Sequence, residues 1–336
     1  MGGADERIHS VVKIITQADR FPRPERGCAL SIGKFDGLHC GHIALLETLQ
    51  KKARQTDVPS AVLTFDRSPA EILAPERAPL PLCDLDQKID LISAFRPDFL
   101  LICPVSRSFL ELSAEDFLEK IVVGRLGAVS IVEGESFTFG AGRRGNRRFL
   151  KEWCGARGVD LTILPPVSMF EANVSSSRVR ALLAAGEVGV VHAMLMRPYR
   201  VSGIVADGEH RGRTLGFPTA NLTEIKTLLP KEGLYAARAL VDGRFYPAAV
   251  NLGGNPTFGV EKTKVEVHIL DWSGNLYGER LAIDFITRLR DIVPFASRDE
   301  LIGAMNADLE TIRSHWSKWA GSDTIYRREA DGRAAP

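Results

Sequence analysis

From about residue 28 to 165, apolar runs of strand length alternate with stretches of helical period. CALSIG (28–33) precedes HIALLETLQKKARQ (42–55), where Ile43, Leu46, Leu49 and Ala53 hold one apolar stripe and predict a half-buried helix. AVLTF (61–65), DFLLICPV (98–105), AVSIVEG (128–134) and VDLTILPPV (159–167) read as further strands. Between them, SAEDFLEKIVVGRLG (113–127) opens on a capping pair, Ser113 and Asp116, and stops at Gly127. RRFLKEWCGARG (147–158) reads as another helix. Strand–helix–strand repetition predicts a parallel, doubly wound sheet, whose ligands bind beyond the C-terminal ends of the strands.

After Arg197-Pro198 the grammar changes. Strand-like runs follow one another with turns and no helices between them, and Asp242-Gly243 is a strong signal for a tight hairpin. Several antiparallel strands in a small unit predict a barrel. One long helix follows, with a capping pair at Ser297 and Glu300. Ile302, Met305, Leu309, Ile312, Trp316 and Trp319 form its apolar face. The expected domains are an α/β sheet over 1–190, a β-barrel over 198–320 and a polar tail over 321–336.

The 336 residues suffice for about two cores. A formal net charge of +1 gives no ground to expect nucleic acid or an anionic membrane as partner. The five cysteines are scattered and odd in number, which reads as a reducing compartment. No apolar stretch reaches the length of a membrane span, and the N-terminus lacks a signal peptide's apolar run. A cytoplasmic protein is expected.

The chemistry concentrates in a few stretches. GKFDGLHCGH (33–42) places His39 and His42 after a strand and at a helix start, three residues apart and on one face. That turn offers unsatisfied backbone N–H groups, and Gly37 and Gly41 let a phosphate approach them. A zinc site from His39, Cys40 and His42 is the competing idea, but Cys40 should point elsewhere and no fourth ligand is apparent. VSSSRVR (174–180) sets Arg178 and Arg180 in the first turns of another helix, as a phosphate site or as a solvated surface helix. GESFTFGAGRRGN (134–146) puts Phe137 and Phe139 before a basic glycine-rich loop with Arg143, either to stack a ring and hold phosphate or as core aromatics plus a loop. In the second half, Gly208, Gly212 and Gly216 loosen the chain around Arg211 and Arg213. In the Pro218-Thr219-Ala220-Asn221 that follows, Thr219 and Asn221 project to one face if the chain is extended, as neutral oxygen donors suited to Mg²⁺. Glu266 shares a strand face with His268, opposite Val265, Val267 and Ile269.

GKFDGLHCGH, FTFGAGRRG and VSSSRVR, in that order, resemble the N-terminal module of the prokaryotic bifunctional riboflavin kinase/FMN adenylyltransferase family. GRTLGFPTAN, VNLGGNPTF, VEVHILDW and NLYG resemble riboflavin kinase over nearly the whole barrel. The resemblance implies an α/β plus β protein: a Rossmann-like doubly wound nucleotidyltransferase domain, then an antiparallel riboflavin kinase barrel closed by a long helix. It implies that ATP phosphorylates riboflavin to FMN at the barrel and adenylylates FMN to FAD at the sheet, with Mg²⁺ accompanying the nucleotide. By resemblance His39, His42 and Arg178 serve adenylylation and Glu266 is the general base of the kinase. Gly33, Phe35, Asp36, Gly37, Gly41, Ser136, Phe137, Phe139, Arg143, Ser176 and Ser177 would hold ligand in the first half. Gly208, Gly212, Arg213, Gly216, Pro218, Thr219 and Asn221 would do so in the second, with Thr219 and Asn221 on the metal. Three departures stand out: Arg67-Ser68 in place of Pro-His, Ser136 in place of Asn or Asp, and Glu133 in a strand end that is usually apolar. They motivate an alternative, a kinase with a weakened adenylyltransferase domain. A non-catalytic flavin or nucleotide sensor is the other.

Overall fold

The computed structural model describes residues 12–16, 20–207, 217–253 and 263–319. Its described chain divides into two compact units. The first comprises residues up to Pro79 and Asp84–Ser175, the second Leu80–Cys83 and the residues from Ser176.

In the first unit the strands are β1 (Lys13–Ile15), β2 (Cys28–Ile32), β3 (Ser60–Phe65), β4 (Phe99–Cys103), β5 (Ala128–Gly134) and β6 (Asp160–Leu164). They form one sheet in the order β1-β4-β3-β2-β5-β6, every pair parallel. From β2 the chain steps to one side through β3 and β4, then returns to the other side for β5 and β6. The β2/β5 boundary is therefore the switch point, where such sheets open a crevice at their C-terminal edge. Helix α1 (Cys40–Thr56) buries the expected stripe, Ile43, Leu46, Leu49 and Ala53. Phe117, Leu118, Val122, Leu150, Trp153 and Cys154 join Leu30, Ile32, Leu63 and Ile131 in a core cluster. Gly127 and Gly158 end their helical segments at positive φ, as C-terminal glycines do. A two-strand hairpin, β7 (Ser168–Met169) with β8 (Ala172–Asn173), completes the unit.

In the second unit β9 (Tyr199–Ala206), β10 (Ala220–Thr223), β11 (Gly233–Val241), β12 (Arg244–Gly253), β13 (Lys264–Ile269) and β14 (Arg280–Arg290) close into an antiparallel barrel. Asp242 and Gly243 both take positive φ, 49° and 74°, and join β11 to β12 as a tight hairpin. The terminal helix, Arg298–Trp319, packs Leu309 and Ile312 against Phe217, Ala236, Ala249 and Leu270, with Ile302 and Met305 alongside. Glu300 N–H donates to Ser297 Oγ at 3.1 Å, while the Glu300 carboxylate reaches back to Ala296 N–H at 2.8 Å, one residue earlier than a capping box requires. The 321–336 tail lies outside the described residues. No described helix is long and apolar enough to cross a membrane.

The helix Ser176–Ala185 groups with the barrel unit, whereas the sequence grammar put residues through 190 with the sheet. The contacts explain the difference. Lys231 N–H donates to Leu183 O at 2.8 Å, and Arg288 occupies the space that a side chain at Gly186 would need.

Candidate functional sites

At the C-terminal end of β2 the chain enters α1 through a turn built on left-handed residues: Phe35, Gly37 and Leu38 all have positive φ. Only glycine adopts that conformation without steric cost, so two of the three are held there by packing. Phe35 and Leu38 are fully enclosed. His39 caps α1 with extended backbone and no side-chain cap, and the first turn holds no acidic residue. A helix N-terminus of this kind carries positive partial charge that suits an anion.

The rings of His39 and His42 stack, with centroids 3.8 Å apart and planes 15° from parallel. Phe35 meets His42 edge-on at 5.3 Å. A Cβ at Gly41 would stand 3.2 Å from His39 Nδ1, so glycine lets the ring lie close along the helix. At Gly33 the Phe35 ring occupies that space, 3.1 Å from a Cβ. Phe35 therefore supports the turn from beneath, since its enclosed side chain cannot itself touch a ligand. Asp36 and Gly33 are half-buried. Cys40 turns its thiol toward Met169 Sδ at 3.7 Å, away from any metal set with the histidines. Among the described residues no group of three or more His, Cys, Asp and Glu could hold a metal ion.

On the neighbouring strand, Gly134 leads into the second loop. Ser136 is exposed and Phe137 half-buried. Phe139 is a core residue: it is bridged to Gly145 by two backbone hydrogen bonds and packs near Phe117 and Phe149. Phe137 stacks on it at 5.2 Å. Arg143 is exposed and donates from Nε to Thr138 Oγ1 at 3.0 Å. Arg67-Ser68 has a local explanation. Ser68 starts a short helix over Pro69–Leu73 with a complete capping box to Glu71, and Arg67 pairs with Asp66 at 3.3 Å.

The second unit carries the other set. Register places Asn221 of β10 opposite Glu266 of β13, and Glu266 opposite Asn251 of β12. These three therefore line one face in a row across three strands. Asn251 Nδ2 donates to Glu266 Oε2 at 3.2 Å. Val265, Val267 and Ile269 are buried on the opposite face, as the alternation predicts. Beside the row, His268 Nδ1–H donates to Pro218 O at 2.8 Å, and its ring meets Phe217 edge-on. His268 thus ties down the segment that leads into Thr219 and Asn221. Sequence reasoning named neither Asn251 nor the anchoring role of His268. Asn251 could be found only from the strand register, which brings residues 221, 251 and 266 together. Ser176, Ser177 and Arg178 open the helix Ser176–Ala185 in this unit. Gly208, Gly212, Arg213 and Gly216 lie outside the described residues.

On β9, β14 and β11 the barrel holds a buried charge cluster. Asp284 accepts from Arg200 Nε at 2.6 Å and Nη2 at 3.0 Å, and from Arg238 Nε at 2.9 Å. The Arg238 guanidinium also lies over the Phe245 ring, 4.0 Å from its centroid. Burial alone would raise the Asp284 carboxyl, but the two guanidinium groups outweigh it and hold the group below the ordinary carboxylate range.

Comparison with known proteins covers both units. The FAD synthetase family model matches residues 21–178 and the riboflavin kinase family model residues 195–316. The bifunctional riboflavin kinase/FMN adenylyltransferase of Escherichia coli K12 is 34% identical over 291 residues, 86% of this chain and 93% of that protein. The protein of the same name from Pseudomonas fluorescens is 36% identical over 294 residues, 87% of this chain and 94% of its own length. A solved structure named as a macrolide-efflux protein from Streptococcus pneumoniae superposes with a TM-score of 0.81 at 30% identity, over 90% of this chain and 99% of that one. Family models for both halves, and relatives matched along nearly their whole length, place this chain in the bifunctional riboflavin kinase/FMN adenylyltransferase family.

Proposed function

We propose that the chain makes FMN from riboflavin at its barrel and FAD from FMN at its sheet unit, consuming ATP in each step. What supports this reading is that one chain carries two separately built polar clusters, each of a kind that suits phosphate chemistry. One is the stacked His39–His42 pair at the switch point; the other is the Asn221–Glu266–Asn251 row on the barrel.

The two reactions ask different things of the protein. In adenylylation an FMN phosphate oxygen attacks the α-phosphorus of ATP, the bond to the β-phosphate oxygen breaks, and pyrophosphate leaves. The nucleophile is already anionic, so a base adds little and hydrogen-bond donors around the transferring centre matter most. His39 and His42 supply ring N–H donors there, backed by the N-terminus of α1. Ser136 and Phe137 hold the flavin nucleotide, with Arg143 beside them. Ser176, Ser177 and Arg178 are assigned to phosphate binding on their motif alone.

In the kinase step the nucleophile is a primary alcohol, which gains from losing its proton. Glu266 takes that proton as the 5′-hydroxyl oxygen of riboflavin attacks the γ-phosphorus and ADP leaves. Asn251 holds the carboxylate in place. Thr219 and Asn221 are half-buried neutral oxygen donors with no soft ligand among them, which suits a hard cation that keeps its waters and phosphate oxygens. We assign them to Mg²⁺, which when bound neutralises charge on the nucleotide phosphates. The five free cysteines support a reducing, cytoplasmic setting.

The test supplies riboflavin, ATP and Mg²⁺ in one arm, and FMN, ATP and Mg²⁺ in another, with products separated by chromatography. FMN in the first arm and FAD in the second are expected. FMN without FAD would leave a kinase with an inactive adenylyltransferase unit, and neither product would favour a sensor. The double variant His39→Ala/His42→Ala should lose FAD formation by about 10³-fold while leaving FMN formation nearly intact.

A further inference from the structure

Glu133 has no part in the chemistry assigned so far, yet its side chain stands at the root of the sheet site. It lies near the end of β5 and is 2% exposed. Alternation along the strand puts it on the face of Ile131, within the core layer that holds Phe117, Leu150 and Trp153. A carboxyl there must find a partner or bear the full cost of leaving water.

Its partner is the main chain of β2. That strand keeps its ladder with β3 as far as Ile32↔Leu63, and Gly33 N–H extends the pairing to Leu63 O at 3.0 Å. On its other side the pairing with β5 stops earlier, at Leu30↔Ile131. Main-chain donors alternate sides along a strand, so Ile32 N–H faces the side that has opened. Glu133 Oε1 accepts it at 2.6 Å. A side-chain oxygen thus takes the acceptor position that the ladder gives up where the two strands part. Ile32 leads directly into Gly33 and the turn to His39. Glu133 leads directly into Gly134 and the loop with Ser136 and Phe137.

We propose that Glu133 is a positioning residue for FAD formation: its carboxyl holds β2 and β5 apart at a set distance and fixes the root of the histidine turn against the root of the Phe137 loop. This rests on the adenylyltransferase reading above. An apolar side chain in its place would leave Ile32 N–H buried without an acceptor, or would draw β2 onto β5 and narrow the crevice. Either response moves Gly33 and, through it, the stacked histidines. Burial pushes the Glu133 carboxyl well above the ordinary carboxylate range, against the opposing pull of Ile32 N–H. A neutral carboxyl leaves no unpaired negative charge in the core of the sheet. What the site needs from Glu133 is then its oxygen acceptor, and an amide supplies the same.

The experiment compares Glu133→Gln and Glu133→Val in the full chain. E133Q should form FAD within about threefold of wild type, because its amide oxygen can take the same N–H. E133V should lose about tenfold or more in kcat for FAD formation, with KM for FMN and ATP changed far less, as expected when reacting groups are misplaced. Riboflavin phosphorylation by the same preparation reports that the chain is folded. Amide hydrogen exchange at Ile32 should quicken in E133V and stay protected in E133Q. If E133V does not accumulate as folded protein, Glu133→Asp carries the test: its carboxyl ends one methylene short of Ile32, and its FAD formation should also fall. E133V or E133D at the wild-type kcat, or E133Q impaired as far as E133V, overturns the proposal. A wild-type chain that makes no FAD defeats the adenylyltransferase reading itself, which separates the two failures.

Discussion

Replacing Asp284 by asparagine should destabilise the barrel by about 3 kcal/mol, near the lower end of the range for breaking a buried ion pair. Asp284 and Arg238 are each 1% exposed, and the Arg200 side chain is 14% exposed. The carboxylate receives three N–H donors across neighbouring strands, in a row set by the register Arg200↔Asp284↔Arg238. Asparagine keeps one acceptor oxygen, but its NH₂ faces a guanidinium and the compensating charge is gone. Two effects soften the loss: Arg200 can shift toward water, and Arg238 keeps its contact with the Phe245 ring. Complete loss of structure is therefore not expected.

The assay is urea unfolding of the full chain, followed by riboflavin phosphorylation after brief dilution and by tryptophan fluorescence. Two compact units need not unfold together, so the activity signal identifies the barrel transition. The pH dependence provides a second check. Asp284 has a folded pKa below its unfolded value, so its contribution is fully present above the unfolded value of about 4 and fades as pH falls through the folded one. The gap between wild type and Asp284→Asn should be flat from about pH 5 to 8 and close below about pH 4. A penalty under about 1 kcal/mol at neutral pH, or a gap that widens in acid, would refute the reasoning.

Two substitutions probe the sites directly. Asn251→Ala removes the donor that holds Glu266, and loss of one hydrogen bond to a charged group, about 1.5 kcal/mol, should lower the kinase kcat about tenfold; an unchanged kcat would show that Glu266 needs no such support. Gly41→Ala should separate stability from activity. Gly41 is the second residue of α1, where alanine's preference is worth less than the roughly 1 kcal/mol of a helix interior and is opposed by the close ring, so the melting temperature should change little. Its Cβ would press on His39 at 3.2 Å, so FAD formation should fall several-fold while FMN formation holds. A folded variant with full FAD formation would mean the ring position is not critical.

What the sequence revealed and what it hid follow from where the information lies. The stripe on α1 was legible because a helix with one buried face must write its period into its own residues, and Ile43, Leu46, Leu49 and Ala53 do so. Asp242-Gly243 was legible because few residues accept two successive positive φ angles. The edge strand β1 was missed because three residues, Lys13–Ile15, are too few to show alternation. The β7–β8 hairpin was missed because Phe170 and Glu171, not glycine or asparagine, take its positive-φ positions. His39, His42 and Glu266 stood in recognisable motifs, but their supports did not. Asn251 touches Glu266 only through a register that no local pattern specifies.

The two buried carboxyls carry that point furthest, because their sequence neighbourhoods say so little about their states. Asp284 lies between two arginines on adjacent strands and stays charged. Glu133 meets a backbone N–H and little else, so burial favours its neutral form. Neither strand shows this: AIDFI and SIVEG each offer one acid among apolar residues. The difference is made by what the sheet brings alongside. It also inverts the effect of one change of chemistry. Acid-to-amide substitution removes a needed charge at Asp284 and costs the barrel its stability, whereas at Glu133 it preserves the acceptor and should leave the turn where it was. If both amide variants behaved alike, the contrast in environment would not be what governs these residues.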